Sequence, residues 1–171
     1  MKALQKHFVE VLNLKLQEAS LSDHWYASTE VRRAVFGIRY HRDKNIAPFN
    51  YQCGVEKLFE RGYFGWRRPN KLDLAKVQTP VDITNVSTRM SSNDGYEKNN
   101  DWVGWKHLNT QLKSFTDATI IAIHADNHNI DEQHPIAKQL AEEIWKLFID
   151  YHAEIEELES FKSVGRIPCP T

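Results

Sequence analysis

Arg33, Arg39, Arg42, Arg61, Arg67 and Arg68 fall in one stretch of the chain that is also dense in rings. A guanidinium group can hold a phosphate through two parallel hydrogen bonds, and a flat ring can stack on a base. Residues 31–80 carry eleven Lys/Arg against four Asp/Glu, a net of +7, while the other 121 residues carry eleven against nineteen, a net of -8, so the formal charge of -1 hides two opposed blocks. Phe36, Tyr40, Phe49, Tyr51, Phe59, Tyr63, Phe64 and Trp66 are interleaved with the basic residues. Strand geometry over Arg61 to Arg68 sets Tyr63, Gly65 and Arg67 on one face and Phe64, Trp66 and Arg68 on the other. One face can enter a core while the other offers an arginine beside a ring. Trp66, next to Arg67 and Arg68 and with glycines at 62 and 65, is the ring expected to meet a base. Two plainer alternatives stand beside this: the rings are core and the arginines keep an edge strand soluble, or the basic block docks on an acidic helix of its own chain.

Other chemistry finds little support. The chain has no Gly-x-Ser-x-Gly turn, and neither Cys53 nor Cys169 sits in an activating context. Gly62 and Gly65 are not followed by the Lys-Ser/Thr of a phosphate loop. His124, His128 and His134, with Asp126 and Asp131, are the densest group of potential metal ligands. Zinc needs imidazoles converging at about 2 Å, and the Asn-rich surroundings of these residues read as a polar loop that does not fix such geometry. No catalytic residue, metal site or cofactor is assigned.

The elements that would position the basic face can be read in outline. Residues 2–19 form an amphipathic helix, with Leu4, Phe8, Val11, Leu12 and Leu16 at 3–4 spacing. Residues 24–41 read as extended, with Arg32, Ala34, Phe36, Ile38 and Tyr40 toward the core and Arg33 and Arg39 toward solvent. A polar turn at Arg42 to Asn45 suggests a hairpin to residues 46–53, and Pro48 favours an edge position. Gly54 breaks the pattern, and Val55 to Glu60 are a helical turn or a continued strand. The alternation of Val81 to Val86 suggests a strand, and residues 87–101 read as a loop. Trp102, Trp105 and Leu108 restart the apolar pattern, and residues 116–124 are a buried strand or a short buried helix. Pro135 opens a long helix whose stripe runs through Ile136, Leu140, Ile144, Leu147, Phe148, Tyr151, Ile155 and Leu158. Ten acids against two lysines in residues 126–160 give that region a net of -8.

The expected fold class is α+β, an antiparallel β-meander flanked by an N-terminal helix and a long C-terminal helix, in one domain over 1–164 with a tail at 165–171. A length of 171 residues, 41% of them hydrophobic and five of them Trp, suffices for one core. Two cysteines are no disulfide framework. The charged residues Lys2, Lys6 and Glu10 interrupt any signal-like start, and no apolar run approaches the ~20 residues that span a bilayer. A soluble cytoplasmic protein without membrane contact is expected.

The layout from residue 31 onward resembles the C-terminal half of some bacterial proteins of the PD-(D/E)XK nuclease superfamily. The residues that carry the resemblance are Phe36 to Ile38, Tyr63 to Gly65, Asp101 followed by Trp102 to Leu108, Phe115 to Asp117, and Ile155 to Leu158. That family holds Mg²⁺ on paired carboxylates and positions water with the lysine of an Asp/Glu-x-Lys strand. The nearest echo here is Asp82 with Lys113, which lacks a carboxylate. The resemblance thus implies a relative of the nucleic-acid-facing part without cleavage, and it carries over no catalytic residue.

The expected function is non-catalytic binding of nucleic acid or nucleotides through Arg33, Arg39, Arg42, Arg61, Trp66, Arg67 and Arg68. The alternative is a homo-oligomeric interaction protein in which the basic strand block of one copy meets the acidic C-terminal helix of another.

Overall fold

The computed structural model describes residues 2–30, 35–41, 51–57, 62–69, 83–108 and 135–160. The elements are α1 (Lys2–Glu18), β1 (Trp25–Glu30), β2 (Val35–Tyr40), β3 (Gln52–Glu56), β4 (Tyr63–Arg67), α2 (Ile83–Asp94), β5 (Trp102–His107) and α3 (Pro135–Ser160). The five strands form an antiparallel sheet in the order β1-β2-β3-β4-β5, each paired with its sequence neighbour. This is the expected α+β meander, with a helix at its start and a long helix at its end.

α1 buries Phe8, Val11, Leu12 and Leu16 and stops at Ser20, whose φ of 57° is left-handed. Leu21 N–H then donates to Leu16 O and Ser20 N–H to Gln17 O, which uses two carbonyls the helix end would otherwise leave open. α3 lays Leu140, Ile144, Leu147, Phe148, Tyr151, Ile155 and Leu158 onto the same core. One face of the sheet meets them with Trp25, Ala27, Phe36, Ile38, Cys53, Val55, Phe64 and Trp66. α1 lies over β1 and β2, α3 over β2 to β4, and α2 against β5. Phe8 stacks on Phe36 with centroids 5.0 Å apart, and Trp25 meets the ring of Phe148 edge-on at 5.1 Å.

The acids of α3 tie the helices and the β1–β2 end together. Glu142 pairs with Lys15 of α1, Glu154 with Arg89 of α2, and Glu156 with His24. Among the described residues, no ion pair joins α3 to Arg39, Arg67 or Arg68. Each edge strand is also engaged at one central position. On β1 the Asn13 side-chain amide donates to Ala27 O and accepts from Ala27 N–H. On β5 the backbones of Glu97 and Trp105 exchange two hydrogen bonds of 2.8 Å. Backbone groups bonded in this way are not open to pairing with another chain at those two positions.

Three expectations need correction. Residues 24–41 are not one strand: Trp25–Glu30 and Val35–Tyr40 pair with each other as a hairpin. Gly54 does not break the third strand but lies inside it. Over Ile83–Asp94 the expected strand and the first part of the 87–101 loop are replaced by α2, which buries Val86, Ser87 and Met90, while residues 95–101 lie outside any helix. Ser87 Oγ donates to Val103 O, and Met90 fills the space over Gly104. Tertiary contact holds this helix, since its Asn, Ser and Thr residues are weak helix formers. The segment 116–124, the histidines at 124, 128 and 134, and the tail at 165–171 lie outside the described residues.

Candidate nucleic-acid interface

Strand alternation divides the expected contact residues between two faces. Arg39 pairs with Gln52 in register, and Gln52 with Arg67, so these three stand side by side on the face turned away from the helices. Trp66 and Arg68 belong to the helix-covered side. Arg33, Arg42 and Arg61 lie outside the described residues.

Trp66 is the clearest correction. It is 0% exposed, packs against Trp25 and Phe148, and donates its indole N–H to Leu147 O at 3.4 Å. No base can reach it. A large apolar ring between β4 and α3 gains more from burial than a flanking glycine can offset by opening space. Arg68 is drawn to the same side, close enough to Tyr51 to favour ionisation of its phenol; burial nonetheless pushes the Tyr51 pKa up to about 12.

Beside Arg39, Gln52 and Arg67 runs a row without side chains. Gly37 pairs with Gly54, and Gly54 with Gly65, across β2, β3 and β4. A Cβ on Gly54 would stand 2.3 Å from Phe36 O, and one on Gly65 would stand 2.2 Å from Gly104 O. The strands thus close in on this face too tightly for any other residue. Neighbouring side chains bend into the space. Gln52 Nε2 lies 2.8 Å from where a Gly37 Cβ would be, and Arg67 reaches past Gly54 and Gly65 to Glu56 Oε1 at 2.6 Å.

On the far side of the row is a group of rings. Tyr63 meets Trp102, Trp105 and His107 edge-on at 5.4, 5.6 and 6.4 Å, and Trp105 meets His107 at 5.3 Å. Trp102 is buried, Tyr63 and Trp105 are half-buried, and His107 is exposed. Burial, then the charge and hydrogen bond of Glu56, push the Tyr63 phenol up to about 12.

Three buried donors on this face lack an acceptor among the described residues: Arg39 Nε, Gln52 Nε2 and Trp105 Nε1. Gln52 is only 7% exposed. A buried donor left unmatched costs about 1–3 kcal/mol, and Trp25 Nε1 and Arg68 Nε on the helix-covered side are unmatched as well.

No known family, curated protein or solved structure matches this chain. What the face can hold is set by its own geometry. Asp82 and Lys113, the nearest echo of a nuclease centre, lie outside the described residues. Among the described residues, no three His, Cys, Asp or Glu gather to hold a metal, and no helix is long and apolar enough to cross a membrane.

A cleft of about 550 Å³ on the other side of β5 is lined by Phe64, Asp94, Tyr96, Lys106, His107, Glu143, Lys146, Leu147 and Asp150. Lys106 Nζ lies 4.1 Å from the centre of the Tyr96 ring, and Tyr151 donates to Asp94. Three carboxylates against two lysines make this cleft a poor host for phosphate.

The sequence placed Arg67 with Tyr63 and Gly65 correctly but selected the ring on the wrong face. Gln52, Glu56, Trp105 and His107 were missed. Their grouping depends on the β3–β4–β5 register, for which a single chain carries no local signal. The Gly54 and Gly65 pair was the one available hint, because glycine inside a strand marks close approach.

Proposed function

We propose that this protein is a non-catalytic binding module for nucleic acid or nucleotides, acting through the sheet face that carries Arg39, Gln52, Arg67, Tyr63, Trp105 and His107. The observation that carries this reading is the register that sets the donors of Arg39, Gln52 and Arg67 side by side on the face turned away from the helices, with Tyr63, Trp105 and His107 on the same face. These donors call for acceptors, and phosphate and base edges are rich in them. The neighbouring rings supply stacking surface, worth about 1–3 kcal/mol for each base. The pairing of basic strands with the acidic helix of another copy is less supported, because Glu142, Glu154 and Glu156 are already held by Lys15, Arg89 and His24 of their own chain.

The test is a fluorescence-anisotropy titration with labelled oligonucleotides at about 50 and 200 mM salt. Each phosphate held should add about -0.7 to -0.9 to the slope of log affinity on log salt. No binding at the lower salt would remove the proposal.

A further inference from the structure

We infer that the cleft on the helix side of β5 binds a small basic amino acid, a molecule with one carboxylate and two cationic groups. Its walls come from three parts of the chain. α2 ends at Asp94, and Gly95, with a φ of 69°, turns the chain so that Tyr96 N–H donates back to Met90 O. The bridge between Glu97 and Trp105 fastens this turn to β5. β5 contributes Lys106, which pairs in register with Phe64 of β4 and shares its side of the sheet. α3 contributes Glu143, Lys146, Leu147 and Asp150, whose spacing puts them on one helix face. The space between these walls is open with every one of those side chains in place. It measures about 550 Å³, within the range of about 300–1,000 Å³ usual for small-molecule sites.

Lys106 supplies a cation in a fixed position. Its Nζ lies 4.1 Å from the centre of the Tyr96 ring and 5.9 Å from that of Phe64, and it donates to Asp94 O at 3.4 Å. Among the described residues it enters no ion pair. An ammonium carries three donors, so this one, held over a ring and bonded to one carbonyl, can still take a carboxylate. The acids are open to cations. Tyr151 donates to the Asp94 carboxylate and orients it. Asp150 stands 3.8 Å from Lys146 on its own helix, an exposed pair that holds neither group tightly.

The balance of charge selects the ligand. Asp94, Glu143 and Asp150 against Lys106 and Lys146 leave the cleft with one negative charge in excess. A simple anion is repelled by that excess. A diamine leaves Lys106 without a partner and brings both its charges toward the two lysines. A neutral zwitterion leaves one acid unmatched. A basic amino acid meets all of these groups, with its carboxylate on Lys106 and its two cations on the acids of α2 and α3.

The experiment is isothermal titration calorimetry of the full chain with L-lysine and L-arginine, at about 20 mM salt so that exposed charges are little screened. Cadaverine, which lacks the carboxylate, and L-norleucine, which lacks the second cation, are the comparators. A basic amino acid should bind at least about fivefold more tightly than either comparator. Lys106→Met should abolish the preference over cadaverine, and Asp150→Asn should reduce the preference over norleucine. Asp150 is exposed, so its variant carries the test if Lys106→Met does not fold. No binding of either basic amino acid up to about 10 mM overturns the inference. Equal affinity for all four compounds, or a folded Lys106→Met protein that still prefers L-lysine to cadaverine, does so as well.

Discussion

Arg67 spans the Gly54–Gly65 pair to bring its guanidinium 2.6 Å from Glu56 Oε1, and Tyr63 donates to Glu56 Oε2 at 3.0 Å. On the function proposed above, this carboxylate occupies the place on Arg67 that a phosphate oxygen would take. A ligand that takes Arg67 must first displace an acid already held by two donors.

Glu56→Gln should therefore tighten oligonucleotide binding severalfold, because an amide holds a guanidinium far less strongly than a carboxylate does. The Arg67 side chain is 37% exposed, so the pair contributes little to folding, about 1 kcal/mol or less. Anisotropy titrations beside urea melts check both halves. Unchanged or weaker affinity would show that Glu56 does not compete with the ligand.

Gly54→Ala should destabilise the fold by about 1–3 kcal/mol, since the added methyl would press on the backbone of Phe36 and Gly37. The same substitution at Gly95 should be milder: φ there is 69°, which disfavours a side chain, but nothing lies within 4 Å. Comparing the two urea midpoints separates close approach from backbone preference.

The fold was legible where a pattern is long and local. The stripe from Phe8 to Leu16 and the stripe from Leu140 to Leu158 each repeat over several turns, and both helices followed from them. The hairpin between β1 and β2 was not legible, because residues 31–34 contain no Gly, Pro, Asn or Asp to announce a turn. α2 was hidden for a related reason. Its buried set is only Val86, Ser87 and Met90, too short a stripe to outweigh the alternation of Val81 to Val86. The alternation of the sequence set Arg39 on an outward strand position and Arg67 with Tyr63 and Gly65, and the register places them on the face away from the helices. The sequence could not tell which side of β4 faces the helices, and so it selected Trp66 where Trp105 and His107 are the rings beside the glycine row.

Trp66→Ala should cost about 3–5 kcal/mol of folding stability and leave the affinity of the folded fraction unchanged. The ring fills the space between Trp25 and Phe148 and has no route to a ligand. Binding curves corrected for the folded fraction provide the check. A loss of affinity in fully folded protein would contradict the core assignment.

Stability should fall steeply at alkaline pH. Tyr51 and Tyr63 are both pushed up to about 12, chiefly by burial, whereas an unfolded chain ionises its tyrosines near 10. Their protonated forms thus hold the fold fully below pH about 10, and that contribution is lost between about 10 and about 12. Urea midpoints should be level up to pH about 9 and drop above 10, and Tyr63→Phe should remove part of the drop. A midpoint unchanged to pH 12 would count against the burial of these phenols.

The central claim, that phosphate is held beside the glycine row, is tested most directly by salt-dependent binding of a single-stranded oligonucleotide to the wild type, Arg39→Ala and Arg89→Ala. Arg39 enters no ion pair among the described residues and stands on the proposed face, whereas Arg89 is bound to Glu154 on the helix side. Arg39→Ala should weaken binding and reduce the slope of log affinity on log salt by about 0.7, while Arg89→Ala should leave both unchanged. Equal effects from the two substitutions, or an Arg39→Ala protein that binds with the wild-type slope, would contradict the account.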